Sequence, residues 1–406
     1  MPRVTTCAFA CVLAVTVAAF AEPSEGKQLW QFETGAASGG ITPAVSDGRV
    51  FVTTGLGGNR IFALNADTGK KLWHHDFNDS GPWSPTVASG RVITTTESCS
   101  IYSQDVKTGR MAWSKFISNA VFSFTAADEK RVYAVAEQGG WSLVCFNGRN
   151  GGVEWKRNVG AEAIGAPVVS DGVVYLSTRD GVVHAIDAAK GKVVWKQERG
   201  ATSPPVVASG RVLLASEEGG FHLMSLEASD GAAAWQYTAS RNPRLGSDAE
   251  SRPMPQAGAV AQTPTLNQCD GSSRPCVIGE DAFVGTSDGR LLCLDTTNGR
   301  RKWEAVLAGG AQGSEVPVAS PVVAGGRVYV GTMRGSFASL SVEDGKELWS
   351  YKANGGFNSA PAVTGGRVYV ISTDGVVHCI DAGTPDAEGW PMWGGTSTHA
   401  GPAAGK

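Results

Sequence analysis

A glycine followed four residues later by a tryptophan recurs throughout the chain, and this spacing constrains the fold more than any other feature. "DTGKKLW" ends at Trp73 and "DGKELW" ends at Trp349. Most copies stand about 40 residues apart, and a fixed period of this length indicates a repeat architecture. The eight copies are Gly26/Trp30, Gly69/Trp73, Gly109/Trp113, Gly151/Trp155, Gly191/Trp195, Gly231/Trp235, Gly299/Trp303 and Gly345/Trp349.

Each unit contains four short segments with the composition of β-strands. The first usually carries a proline, which lacks an N–H and suits an edge strand; in the third unit we place Phe124 at that position. The second segment reads like "GRVYV" and the third like "GVVHAID", and a turn with glycine leads to the fourth, which carries the tryptophan. Four short strands in a unit of this length are typical of a propeller blade.

The two ends of the repeat region predict how the ring closes. The segment "GKQLWQFETG" is a lone fourth strand, and the last unit has only its first three strands. We therefore expect 26–35 to complete the last blade, which leaves no unpaired blade. The sequence predicts an all-β, eight-bladed propeller of four-stranded antiparallel blades in one domain, 22–381, because a single blade cannot bury its own faces. We expect 382–406 to be a C-terminal tail that packs on the propeller.

The first 21 residues have the pattern of a secretory signal peptide. A short basic region precedes an almost wholly apolar run, 7–21, and 19–21 fits a cleavage site before Glu22. The run is shorter than the roughly 20 residues that a transmembrane helix needs. Cys7 and Cys11 stand at its start and not at its end, where a lipoprotein signal would need one. We expect an exported monomer, periplasmic or secreted, without a lipid anchor or transmembrane segment.

The tryptophans follow the turn glycine at a fixed strand position, so all eight should occupy equivalent places. A large ring there can fill the space between blades near the rim, and we interpret these residues as structural. The pattern "P-V-V…G-R-V-Y-V-G-T…D-G…L-D…T-G-K-x-x-W" over 26–381 resembles the pyrroloquinoline-quinone-type repeat propellers of the WD40/YVTN-like quinoprotein superfamily. That family includes quinone-dependent dehydrogenases. It also includes non-catalytic envelope proteins, such as the propeller component of the outer-membrane β-barrel assembly machinery.

The residues favour the non-catalytic branch of this family. The resemblance implies that a dehydrogenase would carry a vicinal cysteine pair, and some members a C-x-x-C-H haem motif; the chain has neither. Ca²⁺ needs six to eight oxygen ligands, and we find no convergent acidic cluster. We therefore expect an envelope scaffold that binds a protein or peptide, with no catalytic residue, metal or cofactor. The alternative is a small oxidoreductase that uses pyrroloquinoline quinone (PQQ) with Ca²⁺.

Charge and loops indicate what kind of partner to expect. The formal net charge is −3 without a long run of one sign, so we expect no nucleic-acid partner. The insertion 240–262 joins a fourth strand to the next first strand, and we expect it on a loop-rich face used for binding. Its candidate contact residues are Arg241, Arg244 and Arg252. A solvated loop is the other interpretation. Trp141 follows a glycine pair in a hairpin and is either an exposed anchor or the cover of a blade edge.

Cysteines and histidines complete the candidate list. Cys269 and Cys276 bracket "DGSSRP", and an oxidising compartment predicts a disulfide between them. Cys99 replaces a turn glycine and is expected to be a partly exposed thiol. Three further cysteines share one third-strand position that takes only small residues in every unit, so we interpret them as core residues: Cys145, Cys293 and Cys379. The histidines are placed too far apart, or on opposite faces, for a shared metal: His74, His75, His184 and His378.

Overall fold

The structure, a computed structural model, shows eight antiparallel sheets arranged as the predicted eight-bladed β-propeller. Its only helix in the described part of the chain is a short 3₁₀ turn, Gly55–Gly57. The fold class and the closure by the N-terminal strand are confirmed. The predicted signal peptide lies outside the described residues, which are 25–37, 40–117, 124–137, 139–216, 221–239, 249–252, 273–308, 316–385 and 389–390.

Strands are numbered in chain order, and each blade is given from its first to its fourth strand. The first strand among the described residues is Gln28–Glu33 (β1). Blade one is Ala44–Ser46 (β2), Arg49–Thr53 (β3), Arg60–Asn65 (β4) and Lys71–Asp76 (β5). Blade two is Thr86–Ala88 (β6), Arg91–Thr95 (β7), Ser100–Asp105 (β8) and Met111–Phe116 (β9). Blade three is Ala126–Ala127 (β10), Arg131–Glu137 (β11), Trp141–Asn147 (β12) and Val153–Asn158 (β13). Blade four is Val168–Ser170 (β14), Val173–Ser177 (β15), Val182–Asp187 (β16) and Val193–Glu198 (β17).

Blade five has an additional fifth strand. It is Val206–Ala208 (β18), Arg211–Ser216 (β19), Phe221–Glu227 (β20), Ala233–Ala239 (β21) and Ala249–Arg252 (β22). Blade six is Cys276–Ile278 (β23), Asp281–Gly285 (β24), Arg290–Asp295 (β25) and Arg301–Val306 (β26). Blade seven is Val322–Ala324 (β27), Arg327–Gly331 (β28), Ser336–Ser341 (β29) and Glu347–Lys352 (β30). Blade eight is Ala362–Thr364 (β31), Arg367–Ile371 (β32), Val376–Asp381 (β33) and β1. The tail segment Gly389–Trp390 (β34) pairs with β27.

The fourth strand of every blade has the same bulge, immediately before the repeated tryptophan. In blade one, Ala63 pairs with Trp73 while Leu64 pairs with Lys71, so Leu72 is the extra residue. The other seven blades shift register at the same place. Such a bulge increases the local twist of the strand. The residue opposite the tryptophan is always small: Ala63, Ser103, Cys145, Ala185, Ser225, Cys293, Ser339 and Cys379.

Each of these tryptophans contacts the next blade. Its indole Nε1 donates to a main-chain carbonyl just after the third strand of that blade, at 2.8–3.4 Å. In four blades a second-strand tyrosine donates to the same carbonyl, at 3.1–3.3 Å. These donors satisfy a carbonyl at the blade junction and fix the position of one blade against the next. The bonds run from Trp30 to Ala66, Trp73 to Val106, Trp113 to Gly148, Trp155 to Ala188, Trp195 to Ala228, Trp235 to Thr296, Trp303 to Val342 and Trp349 to Ala382.

The eight tryptophans occupy equivalent junctions but differ in how far they are buried. Four are buried, with 4–8% of their surface exposed: Trp113, Trp195, Trp235 and Trp349. The other four are only partly buried: Trp30, Trp73, Trp155 and Trp303. Every ring is engaged in a junction through its Nε1 bond, and the site near the rim leaves part of some rings in contact with solvent.

The repeated glycine receives the indole ring of the preceding blade. Gly69 has φ +68°, in the left-handed region, and a Cβ on it would stand 2.7 Å from the Trp30 ring. Glycine is therefore required at this position for two reasons: the backbone conformation and the closeness of the neighbouring ring. The other seven glycines also have positive φ and lie against a ring in the same way: Gly109 on Trp73, Gly151 on Trp113, Gly191 on Trp155, Gly231 on Trp195, Gly299 on Trp235, Gly345 on Trp303 and Gly26 on Trp349.

The last blade is closed by hydrogen bonds that reproduce those of a continuous turn. Gly26 N donates to Asp381 O at 2.9 Å, and Asp381 N donates to Lys27 O at 2.9 Å. In blade one, Gly69 N donates to Asn65 O at 2.9 Å within one uninterrupted turn. A bidentate ion pair joins Arg327 of blade seven to Glu25, with Nη1 to Oε2 3.0 Å and Nη2 to Oε1 3.2 Å.

The register corrects one detail of the repeat alignment. Ala44, after the proline of blade one, pairs with Phe51, and Ala126 pairs with the equivalent Tyr133. Thr125 therefore takes the proline position of blade three, one residue later than Phe124. Phe124 is buried instead, with its ring centroid 5.5 Å from that of Trp83.

Candidate functional site

One face of the ring, here called the loop face, carries the hairpins between second and third strands and the connections between blades. Several of these connections form main-chain hydrogen bonds with a neighbouring hairpin. Glu97 N donates to Ser80 O at 3.1 Å, and Thr373 N donates to Gly356 O at 2.8 Å. Arg179 N donates to Glu162 O at 2.8 Å, and their side chains form an ion pair at 2.9 Å. Hydrogen bonds and an ion pair between the connections and the hairpins therefore hold the loops of adjacent blades together on the loop face.

Glycines form the part of the loop face that spans blades seven, eight and one. A Cβ on Gly356 would stand 2.2 Å from Met333 O, and one on Gly375 would stand 1.9 Å from Ala36 O. A Cβ on Gly57 would stand 2.6 Å from Ala37 O. At these three glycines, main chain therefore packs directly on main chain.

Two apolar side chains project beside this stretch. Leu56, in the 3₁₀ turn of blade one, is 52% exposed, and Met333, in the hairpin of blade seven, is 43% exposed. We call these two residues, with the glycine-rich main chain between them, the seven-eight-one surface. Leu56 was not among the candidate residues predicted from the sequence. An apolar residue inside a short hairpin was the available signal.

Trp141 lies at the loop-face end of β12. It is half-buried and packs against the apolar cluster between blades three and four. Its main-chain oxygen accepts from Val159 N at 2.9 Å, which ties the strand to the connection that leaves blade three. Its ring is therefore engaged in the blade junction, with part of its surface left accessible.

The described part of the insertion lies at the rim of the ring. Arg252 is in β22, where its main chain pairs with Gln236 of the fourth strand of blade five. Ala249 pairs with Thr238 in the same antiparallel ladder. Arg241 and Arg244 lie outside the described residues. A contact between Trp141 and these three arginines therefore stays a prediction.

The buried histidines belong to hydrogen-bonded networks. His378 Nε2 lies 2.9 Å from Ser372 Oγ, and its Nδ1 lies 3.0 Å from the Tyr351 hydroxyl, which donates to Gln28 Oε1 at 2.5 Å. His184 Nε2 lies 3.3 Å from Thr178 Oγ1. Burial lowers the pKa of both imidazoles. Within the described residues, no group of three or more His, Cys, Asp or Glu side chains could hold a metal ion.

The adjacent histidines of blade one approach different aromatic rings on opposite faces of the sheet. His74 approaches Phe62, with ring centroids 6.1 Å apart, and His75 approaches Phe77, at 5.0 Å. Burial lowers the pKa of His75.

Cysteine placement confirms one interpretation and corrects another. The three third-strand cysteines are free and fully buried, and burial raises the pKa of each thiol to about 12. Cys99, expected to be partly exposed, is only 4% exposed. Its φ is +68° and its carbonyl accepts from Ile117 N at 2.8 Å, so the tight turn folds the side chain inward. Cys276 is a buried free thiol, while Cys269 lies outside the described residues, so their disulfide stays a prediction.

A family model described as "Outer membrane protein assembly factor BamB" matches residues 14–122, 118–313 and 165–384. The chain belongs to this family. BamB of Moranella endobia is 25% identical over 294 residues, which cover 68% of this chain and 61% of the relative. The chain spans about three fifths of the length of the curated relatives it matches.

Solved structures share the fold at low identity. The crystal structure of BamB from Moraxella catarrhalis has a TM-score of 0.65 and 16% identity, covering 88% of this chain and 99% of that one. The quinohemoprotein alcohol dehydrogenase from Comamonas testosteroni has a TM-score of 0.59 and 12% identity, covering 89% and 77%. An assembly factor and a dehydrogenase share this architecture, so the fold alone does not decide between them.

Among the described residues, no helix is long and apolar enough to cross a membrane.

Proposed function

We propose that this protein is an exported, non-catalytic scaffold that binds a protein or peptide partner during the assembly of outer membrane proteins. The match to the BamB family along most of the chain is the observation that carries the proposal. Relatives such as BamB of Moranella endobia are named as assembly factors, which favours a binding role over chemistry. In the periplasm, one of the two predicted locations, the partner would be another component of the cell envelope.

We place the partner contact on the seven-eight-one surface of the loop face. Leu56 and Met333 offer exposed apolar area that a partner would bury on binding. The glycine-rich main chain between them lets a partner approach the backbone closely. Trp141 and the arginines of the insertion, Arg241, Arg244 and Arg252, are a second, separate candidate contact.

Affinity capture from envelope extract tests this placement. Leu56→Asp with Met333→Asp introduces two charges on the surface, and we expect capture to fall at least tenfold. Leu72→Asp is the matched control, since Leu72 is 47% exposed on the rim of blade one. Equal capture by the double variant and the control would refute the seven-eight-one surface. Failure of the unmodified protein to retain any envelope protein would refute the scaffold function itself.

The alternative function is that of a PQQ-dependent oxidoreductase. The Comamonas dehydrogenase has the same fold, so this alternative also has to be tested. We expect the purified protein to show no turnover of an alcohol, sugar or aldehyde panel with added PQQ, Ca²⁺ and an artificial electron acceptor. Stoichiometric quinone binding with turnover would replace the scaffold function by the enzyme.

A further inference from the structure

The outer edges of the blades offer unpaired main-chain groups to other extended segments. Each fourth strand has one edge that faces away from the ring, and such an edge can accept an additional strand. In blade five this edge is occupied, because β22 pairs antiparallel with β21. The sequence of β21, AAWQYTA, contains no charged residue. An extended segment therefore fits an outer edge of this ring, and it does so where the strand is uncharged.

Blade two has an outer edge that resembles the occupied one. Its fourth strand, β9, has the sequence MAWSKF with Lys115 as its one charged residue, and it pairs only with β8 among the described strands. Phe116, at its end, is 71% exposed, more than any other large apolar residue in the described part of the chain. Charged side chains normally protect an exposed edge, and this edge has little of that protection.

The repeat shows that Phe116 departs from the pattern of its position. It stands three residues after the repeated tryptophan, where only one other blade has an apolar residue, Val306. The strand β1 also has a single charged residue, but that residue is Glu33, at the position of Phe116. The residues of the other blades are Glu33, Asp76, Asn158, Glu198, Thr238, Val306 and Lys352.

Aromatic rings pack between blades one and two on the side of the sheet that Phe116 faces. Phe116 pairs with Ser100 and Ser114 pairs with Tyr102, so Phe116 and Tyr102 face the same side of the sheet. The Tyr102 ring centroid lies 4.7 Å from that of Phe77 in blade one, which lies 5.0 Å from His75. We call Phe116, Tyr102, Phe77 and His75 the rim groove. Tyr102 and His75 are half-buried, so parts of their rings are accessible.

We propose that β9 and the rim groove bind an extended segment of a partner protein whose side chains alternate between apolar and polar. The segment adds a strand to blade two, its main chain pairs with β9, and its apolar side chains pack on Phe116 and Tyr102. Outer-membrane strands alternate in this way over about ten residues, so an unfolded client strand has this chemistry. The inference rests on the proposed function and names the chemistry of the client.

Binding of a fluorescein-labelled ten-residue peptide that alternates valine with threonine tests the site by fluorescence anisotropy. We expect saturable binding, a dissociation constant at least tenfold higher for Phe116→Asp, and a change below twofold for Val306→Asp. Val306 is the matched control, since it occupies the same position in blade six and is 52% exposed. A peptide N-methylated at alternate amides should lose binding when the methylated edge is the one that meets β9.

Each result decides between the proposal and its rivals. No peptide binding, equal losses in both variants, or binding unaffected by both N-methylation patterns overturns the rim groove. Concentration-dependent dimerisation that Phe116→Asp abolishes, without peptide binding, identifies a second copy of the chain as the occupant and also overturns it. Capture of envelope proteins by the unmodified protein, in the absence of peptide binding, leaves the proposed function standing.

Discussion

Replacing Gly69 by alanine should destabilise the propeller more than the same replacement at Gly48, although both glycines have φ +68°. An alanine in the left-handed region costs about 1–2 kcal/mol. At Gly48 nothing lies within 4 Å of the added Cβ, so this conformational cost is the whole effect. At Gly69 the Cβ would stand 2.7 Å from the Trp30 ring, and forcing extra atoms into a packed site costs a further ~1–3 kcal/mol. We therefore expect about 2–5 kcal/mol for Gly69→Ala.

Urea unfolding followed by circular dichroism measures both free energies. A double-mutant cycle with Trp30→Leu isolates the contact, because shrinking the ring should reduce the cost of Gly69→Ala to that of Gly48→Ala. Equal destabilisation by the two alanine variants would refute the argument that the repeat glycine is fixed by the neighbouring blade. It would leave only the turn conformation as the reason for the Gly-x-x-x-Trp spacing.

Three further predictions test ring closure, the pH dependence of stability and the predicted disulfide. Deleting 26–35 should lower the melting temperature strongly, because it removes β1 and the Trp30 contact with blade one; an unchanged melting temperature would refute ring closure. Burial holds the folded pKa of His378 below its usual value of 6.5, so its contribution to stability is fully present above pH 6.5 and is lost as pH falls through the folded pKa. The fall in urea midpoint from about pH 7 to about pH 5 should thus be smaller in His378→Gln. Non-reducing peptide mapping should find Cys269 joined to Cys276; two free thiols would refute the disulfide.

The fold was predictable because the repeat encodes contacts between neighbours in space. Gly69 and Trp73 lie in one turn and one strand of the same blade, but each contacts an adjacent blade. One short motif therefore specifies both a hairpin and a blade junction, and eight copies with a split last unit specify a closed ring. The exceptions are local. The proline position of blade three was misplaced by one residue because β10 is only two residues long and carries little periodicity.

The surfaces were less predictable, since exposure depends on the arrangement of whole blades. Cys99 stands where a glycine was expected, which suggested an exposed turn, yet the turn folds it into a cluster. Within the insertion, Ala249–Arg252 forms β22 and adds a strand to the rim of blade five, and pairing with an outer edge leaves no periodic signal in the sequence. Leu56 and Met333 belong to separate repeats, and only the closed ring places their hairpins on either side of blade eight.

The same packing explains why the repeat predicts so little about function. The glycine, the tryptophan and the small residue opposite it meet at each blade junction, so their identity is set by neighbouring blades. Residues that do not pack at a blade junction lie at hairpin tips and on outer edges, and at these positions the blades differ from one another. Phe116 replaces the Asp76 of blade one at an equivalent position, without a structural requirement for an exposed phenyl ring. Departures from the repeat at exposed positions are therefore where binding specificity should be sought in this ring.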